Sequence, residues 1–184
     1  MSETNKRATH MRTFWAIVAT LLAFPALAHG PTPIKVDESI LIAADPKAVW
    51  AVAGKFDSIA NWHPDVVSVR AKGDNTIGAE REITLRKGGA LKEGLDEYEP
   101  SSLKYSYRMS DPNLDALPIS SYSTTFVITP AAGGGSEVHW YGRLYRGDTG
   151  NEPPDNLNDD AARTAMSDFL RSGLQGLKKK VEGK

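Results

Sequence analysis

Charged side chains interrupt two apolar faces of this sequence in a way that solvation does not explain. Over residues 77–85, Ile77, Ala79, Ile83 and Leu85 share one face of an extended segment, and Arg81 falls among them. Over residues 91–99, Leu91 and Leu95 bring Glu93 and Glu97 to one side. A charge in an apolar interior is very costly unless it is paired. Adjacent hairpin strands would set Arg81 beside one of these acids, as an ion pair inside or at the rim of a cavity. Three uses are open: a register bulge that turns the groups to solvent, polar groups that orient a ligand, or a general acid at Glu97.

Aromatic residues supply a possible wall around that pair. Leu103, Tyr105, Tyr107 and Met109 alternate with Lys104, Ser106 and Arg108. Tyr122, Thr124, Phe126 and Ile128 share a face of a later segment, as do Val138, Trp140 and Leu144. Either these residues fill a core, or Tyr107, Tyr122 and Trp140 line a pocket with apolar area and polar tips. His63, in Trp62-His63-Pro64 at the end of a short helical stretch, serves either as a packed helix end or as a contact at the cavity mouth. His139 alternates away from Val138 and Trp140 and points outside. His29, at the expected mature N-terminus, has the donor set of a terminal copper chelate, although a histidine there is commonly incidental.

Other chemistries lack their motifs. No serine sits in a G-x-S-x-G elbow, and no phosphate loop or dinucleotide fingerprint follows a strand. With no cysteine, disulfides, zinc thiolates, thioether-linked haem and a cysteine nucleophile are excluded. No cofactor is expected. The long polar connection 145–154 contains Arg146, Asp148 and Asn151 with Pro153 and Pro154. A loop of this kind is either a structured linker or a partner contact.

The elements that would position these groups are legible from periodicity. Ile34, Val36, Ile40 and Ile42 alternate along a first strand. Asp45-Pro46 begins a helix with Ala48, Val49, Val52 and Ala53 on its apolar stripe, and 56–62 reads as a second short helix. Strands follow at about 66–71, 77–85, 91–99, 103–109, 120–129 and 137–146, joined by short turns that imply antiparallel hairpins. Asn158 caps a long amphipathic helix whose stripe is Leu157, Ala161, Ala165, Phe169, Leu170, Leu174, Leu177 and Val181. A one-faced sheet needs a cover, and this helix alone is long enough. The expected fold is α+β: a curved antiparallel sheet of six to seven strands around a long C-terminal helix, with two short helices after strand one.

That order of elements resembles the START-like superfamily, also called SRPBCC or helix-grip, whose members include proteins described as polyketide cyclase/dehydrase-like. Residues 45–50 (Asp-Pro-Lys-Ala-Val-Trp) and 56–64 look like its opening helices. The stretches 141–154 and 157–162 resemble the MxaD-type branch, whose exported members are encoded with methanol oxidation. The resemblance spans the mature chain. It implies a non-catalytic accessory role toward a periplasmic quinoprotein methanol dehydrogenase or its cytochrome. The superfamily as a whole implies a cavity for a small hydrophobic ligand, or a cyclase/dehydrase-like enzyme. On that reading the cavity candidates are Trp62, His63, Arg81, Glu97, Tyr107, Tyr122 and Trp140, and the partner-loop candidates are Arg146, Asp148 and Asn151. No catalytic motif comes with the branch.

The N-terminus carries an address. Lys6, Arg7 and Arg12 precede the uncharged run Phe14–Phe24 and an Ala26-Leu27-Ala28 end. This is the form of a secretory signal peptide, and its apolar run is too short for the ~30 Å hydrocarbon core. Met11 offers a tidier start, and an uncleaved anchor is the alternative. Cleavage after Ala28 would leave a single domain, 29–184, in the periplasm, with no stable membrane span. Removing Lys6, Arg7, Arg12 and Glu3 from the 22 basic and 23 acidic residues leaves 19 against 22, a net charge of −3. That balance gives no reason to expect nucleic acid.

Overall fold

A computed structural model describes residues 30–183; the signal peptide expected over 1–28, and His29, lie outside the described residues. The first strand, β1 (Ile34–Ile42), buries Ile34, Val36 and Ile42. The Asp45 carboxylate then accepts from the Lys47 amide at 2.8 Å, with Pro46 at the first helical position, and α1 (Pro46–Ala53) begins. The second helix expected over 56–62 is a 3-10 turn at Ser58–Asn61.

Six strands follow: β2 (Val66–Lys72), β3 (Glu80–Leu85), β4 (Ala90–Glu99), β5 (Lys104–Asp111), β6 (Ile119–Pro130) and β7 (Ser136–Arg146). With β1 they form one antiparallel sheet of order β1-β7-β6-β5-β4-β3-β2. The strand expected to start at Ile77 starts at Glu80. Gly78 has φ +86°, which ends the extended run, and Ile77 is 75% exposed. A residue without Cβ takes such a φ at little cost.

The long helix α2 (Asp159–Glu182) is capped by the Asn158 side chain, which accepts from the Ala161 amide at 2.9 Å. It ends on Gly183 in the left-handed region. Its buried stripe is Ala162, Met166, Phe169, Leu170, Gly173, Leu174 and Leu177. At its start this runs one residue later than the expected Ala161 and Ala165, which are half-buried. Spacing alone does not decide between neighbours on so wide a face. The helix lies against the β1 side of the sheet. Arg163 and Lys178 donate to the Lys35 and Leu41 carbonyls, and Glu182 accepts from the Ala43 amide. This is the helix-grip fold. No helix among the described residues is long and apolar enough to cross a membrane.

Candidate functional site

The strands place Arg81 and Glu93 directly opposite each other on β3 and β4. Both side chains are fully enclosed, and Arg81 Nε donates to Glu93 Oε2 at 2.5 Å. The other Glu93 oxygen accepts from the Tyr122 hydroxyl at 2.5 Å, and Arg81 Nη1 donates to the Phe56 carbonyl. The guanidinium carbon lies 4.0 Å from the Phe56 ring centre and 4.7 Å from that of Tyr107, so two ring faces add cation–π attraction. Burial is the largest single effect on Arg81 and opposes its charge, but the charge and hydrogen bond of Glu93 together with Tyr107 and Tyr105 raise the arginine pKa overall. The same burial, reinforced by Glu93, pushes the Tyr107 and Tyr122 phenols well above their usual value. Burial pushes Tyr105 up to about 12. All three are neutral hydrogen-bonding groups near neutral pH.

Glu97, expected beside Glu93 in the cavity, is at the surface. Leu95 pairs with Tyr107 and Glu97 with Ser106, so Asp96 is an extra residue in β4. Such a bulge reverses the alternation. Tyr98 therefore turns inward against Trp50, at 5.8 Å between ring centres, and Glu97 turns outward to Lys104 at 3.1 Å. A general acid at Glu97 inside the grip has no geometric support.

The remaining cavity candidates sit together as a closed cluster. Trp140 Nε1 donates to the Tyr107 hydroxyl at 2.9 Å, and Trp62 Nε1 to Ser58 Oγ at 3.3 Å. The Trp62 and Trp140 rings meet edge-on at 5.7 Å. His63 stacks on Phe169 of α2 at 4.2 Å. Its Nδ1 accepts from the Asp65 amide at 3.2 Å, which leaves Nε2–H to donate to the Phe169 carbonyl at 3.0 Å. Burial holds this imidazole down at about 4, against smaller raising effects of Asp65 and the Phe169 carbonyl. Among the described residues, the buried Arg81 Nη2 and Thr124 Oγ1 lack a partner in full hydrogen-bond geometry, although Arg81 lies beside the Tyr105 hydroxyl and Thr124 beside that of Tyr107.

Residues 33–182 match the family described as polyketide cyclase/dehydrase and lipid transport. The chain belongs to this family. Among solved structures, it is similar to the protein XoxI of Bacillus cereus, with 21% identity over 80% of this chain and 95% of that one, at a TM-score of 0.67. A protein from Thermobifida fusca is 24% identical over 81% and 93% of the two chains, with a TM-score of 0.65. The Zhui aromatase/cyclase of Streptomyces sp. R1128 is 14% identical over 82% and 94%, with a TM-score of 0.63. At these identities the likeness is one of fold. No match is found among curated proteins.

Within this polyketide cyclase/dehydrase-like grip, open space lies at the edges. A pocket of ≈ 360 Å³ sits where α2 (Ala165, Asp168, Phe169) meets the β5–β6 connection (Leu117, Pro118) and Leu85. A second groove, ≈ 530 Å³, runs past Trp62, His63 and Pro64 to the end of α2.

The partner-loop candidates divide. Arg146 is spent on its own chain: Nε donates to the Asp148 carbonyl at 2.7 Å, Nη2 to the Gly150 carbonyl at 2.8 Å, and Nη1 to Asp159 Oδ1 at 2.9 Å. Asp148 accepts from the Gly150 amide at 2.7 Å. Both residues build the loop, while Asn151 is exposed. His139 lies on the outer face, with Nε2 3.2 Å from Glu137. His29 is outside the described residues, and among those described no cluster of three or more His, Cys, Asp or Glu side chains could hold a metal.

Sequence reading passed over Phe56, whose ring and carbonyl both hold Arg81, and the Gly173/Gly176 notch in α2. A Cβ at Gly173 would lie 2.6 Å from the His63 ring, and one at Gly176 would strike the Trp62 carbonyl. Two glycines three apart on the apolar stripe were the available signal for such a close approach.

Proposed function

We propose that this chain is an exported, non-catalytic accessory protein that acts through its surface on a protein partner, and that the partner is a quinoprotein methanol dehydrogenase or its cytochrome. The observation that carries the surface reading is the filled grip. Arg81, Glu93, Tyr107, Tyr122 and Trp140 are at most 3% exposed and are bonded to one another. A reacting group has to come within hydrogen-bond reach of its substrate, and these groups are enclosed by their neighbours. The choice of partner rests on the resemblance of 141–154 and 157–162 to the MxaD-type branch, and the export on the composition of residues 1–28.

The apolar pocket at the grip mouth favours a second reading, a carrier of a small hydrophobic ligand. One experiment separates the two. The tagged protein is recovered from native periplasm, and the eluate is analysed by mass spectrometry for proteins and for released small molecules. Enrichment of a quinoprotein dehydrogenase or its cytochrome with no small molecule is the expected result. A stoichiometric small molecule without a protein partner overturns it in favour of a carrier or an enzyme.

A further inference from the structure

The groove at the end of α2 combines positive charge with a shaped wall. Three cations face it from two elements: Arg86 from the β3–β4 turn, and Lys179 and Lys180 from the last turns of α2. Among the described residues no carboxylate lines it. Arg86 Nε is anchored on the Pro64 carbonyl at 3.0 Å, which fixes the guanidinium at the groove wall. Lys178, on the neighbouring face of α2, is occupied by the Leu41 carbonyl and Glu182, whereas Lys179 and Lys180 are exposed and make no ion pair among the described residues. Lysines near a helix C-terminus favour the helix dipole, but that effect accounts neither for Arg86 nor for the concavity. Trp62, Pro64 and Gly176 form its wall. This concentration of positive charge stands in a chain whose formal net charge is −1.

The geometry points to this groove as the docking site for an acidic segment of the protein partner. This inference rests on the accessory reading above and adds the face and its chemistry. Complementary charge steers association and fixes register more than it adds raw affinity, which suits a transient accessory contact. An anionic lipid surface fits less well. Juxtamembrane polybasic recognition uses clusters of about four to eight cations on an accessible face. Here only three cations line a shallow, open groove, and none of the large exposed apolar side chains (Leu41, Val67, Ile77, Leu114, Tyr141, Tyr145) lines it.

The test is a titration of the ¹⁵N-labelled protein with an octaglutamate peptide at low ionic strength, where screening is weak. Vesicles of phosphatidylglycerol serve as the competing probe. The expected shifts are confined to the Trp62 indole and the amides of 61–63, 65, 66, 86 and 176–183. Arg86→Gln with Lys179→Gln and Lys180→Gln weakens binding by about tenfold or more, on the order expected for loss of three surface pairs. Arg70→Gln with Lys72→Gln, a comparable neutralisation on β2, leaves it within about twofold, as expected for charges outside the site. Lys179→Gln with Lys180→Gln alone, on the exposed side of α2, keeps the test valid if the triple variant folds poorly. Equal loss in the β2 variant, shifts spread over the whole basic surface, or binding to vesicles but not to the peptide overturns the inference. The periplasmic capture distinguishes the two proposals. A partner held equally by parent and triple variant sinks the groove and leaves the accessory reading standing. A parent that captures no protein sinks the accessory reading, and with it this use of the groove.

Discussion

Replacing Glu93 by Gln tests the central pair most directly. The substitution keeps the shape and an oxygen for the Tyr122 hydroxyl, but removes the charge from a site where both partners are at most 1% exposed. Arg81 would then remain a buried cation held by two ring faces and the Phe56 carbonyl. Breaking a buried pair on one side costs about 3–5 kcal/mol, because the surviving charge is uncompensated. A domain of this size loses about 2–4 °C of melting temperature per kcal/mol, so the expected fall is about 6–20 °C. Arg81→Met combined with Glu93→Leu removes both charges. It leaves the Phe56 carbonyl and Tyr122 hydroxyl unpaired, at about 1–3 kcal/mol each. Its total cost should fall short of the summed single losses by about 2 kcal/mol or more. Thermal and urea unfolding of the parent, Arg81→Met, Glu93→Leu and the double variant completes the cycle, with Glu93→Gln measured beside it. A Glu93→Gln protein that melts within about 2 °C of the parent, or a double variant with no recovery, refutes the claim that desolvation governs this pair.

Glu97→Ala is the matched control: its pair with Lys104 is half-exposed at the surface, and the expected change in urea stability is at most about 1 kcal/mol. His63 makes stability depend on pH. Its folded pKa of about 4 lies below the unfolded 6.5, so the unfolded chain binds the proton first, and stability falls as pH drops from about 6.5 to about 4, then levels. The full effect is about 3 kcal/mol, and His63→Gln should flatten that segment of the urea-stability profile even if it is less stable at pH 7. Gly176→Ala sets about 1 kcal/mol of helix propensity against overpacking on the Trp62 backbone. Since backbone yields little, a net loss of about 1–2 kcal/mol is expected in urea unfolding, and a gain would mean that α2 slides freely on the Trp62-His63-Pro64 segment. Arg146→Ala removes three hydrogen bonds from the loop before α2 and should speed hydrogen exchange at Asp148 and Gly150 while leaving the β-sheet amides unchanged.

Periodicity carried the architecture because each element has one buried face: the alternation of β1, β5 and β6 and the stripe of α2 each state which side is inward. Arg81 was legible for the same reason, as a charge at an inward position. Glu97 was misread because parity propagates only until a bulge, and nothing in Leu95-Asp96-Glu97 marks the extra residue. For Arg146 the choice between structured linker and partner contact stayed open because a sequence does not show that the loop after it folds back to offer two carbonyls. The choice between a lined pocket and a filled core depended on ring packing across strands, which no single strand encodes. The cationic groove joins residues from the β3–β4 turn and the end of α2, separated by about half of the chain, so it emerges only in three dimensions.

The sheet order has a kinetic meaning. Its first strand pairs with its last: Ile42 waits for Ser136, and Ile34 for Leu144. A chain made from its N-terminus therefore holds β1 without its partner until almost all of the domain exists, and α2, whose side chains occupy β1's backbone groups, arrives later still. Contacts this remote in sequence form late and slow the search for the native state. The hairpins from β2 to β7 can assemble as they appear, but the sheet closes only when its two ends meet, after nearly the whole length of the domain has been made.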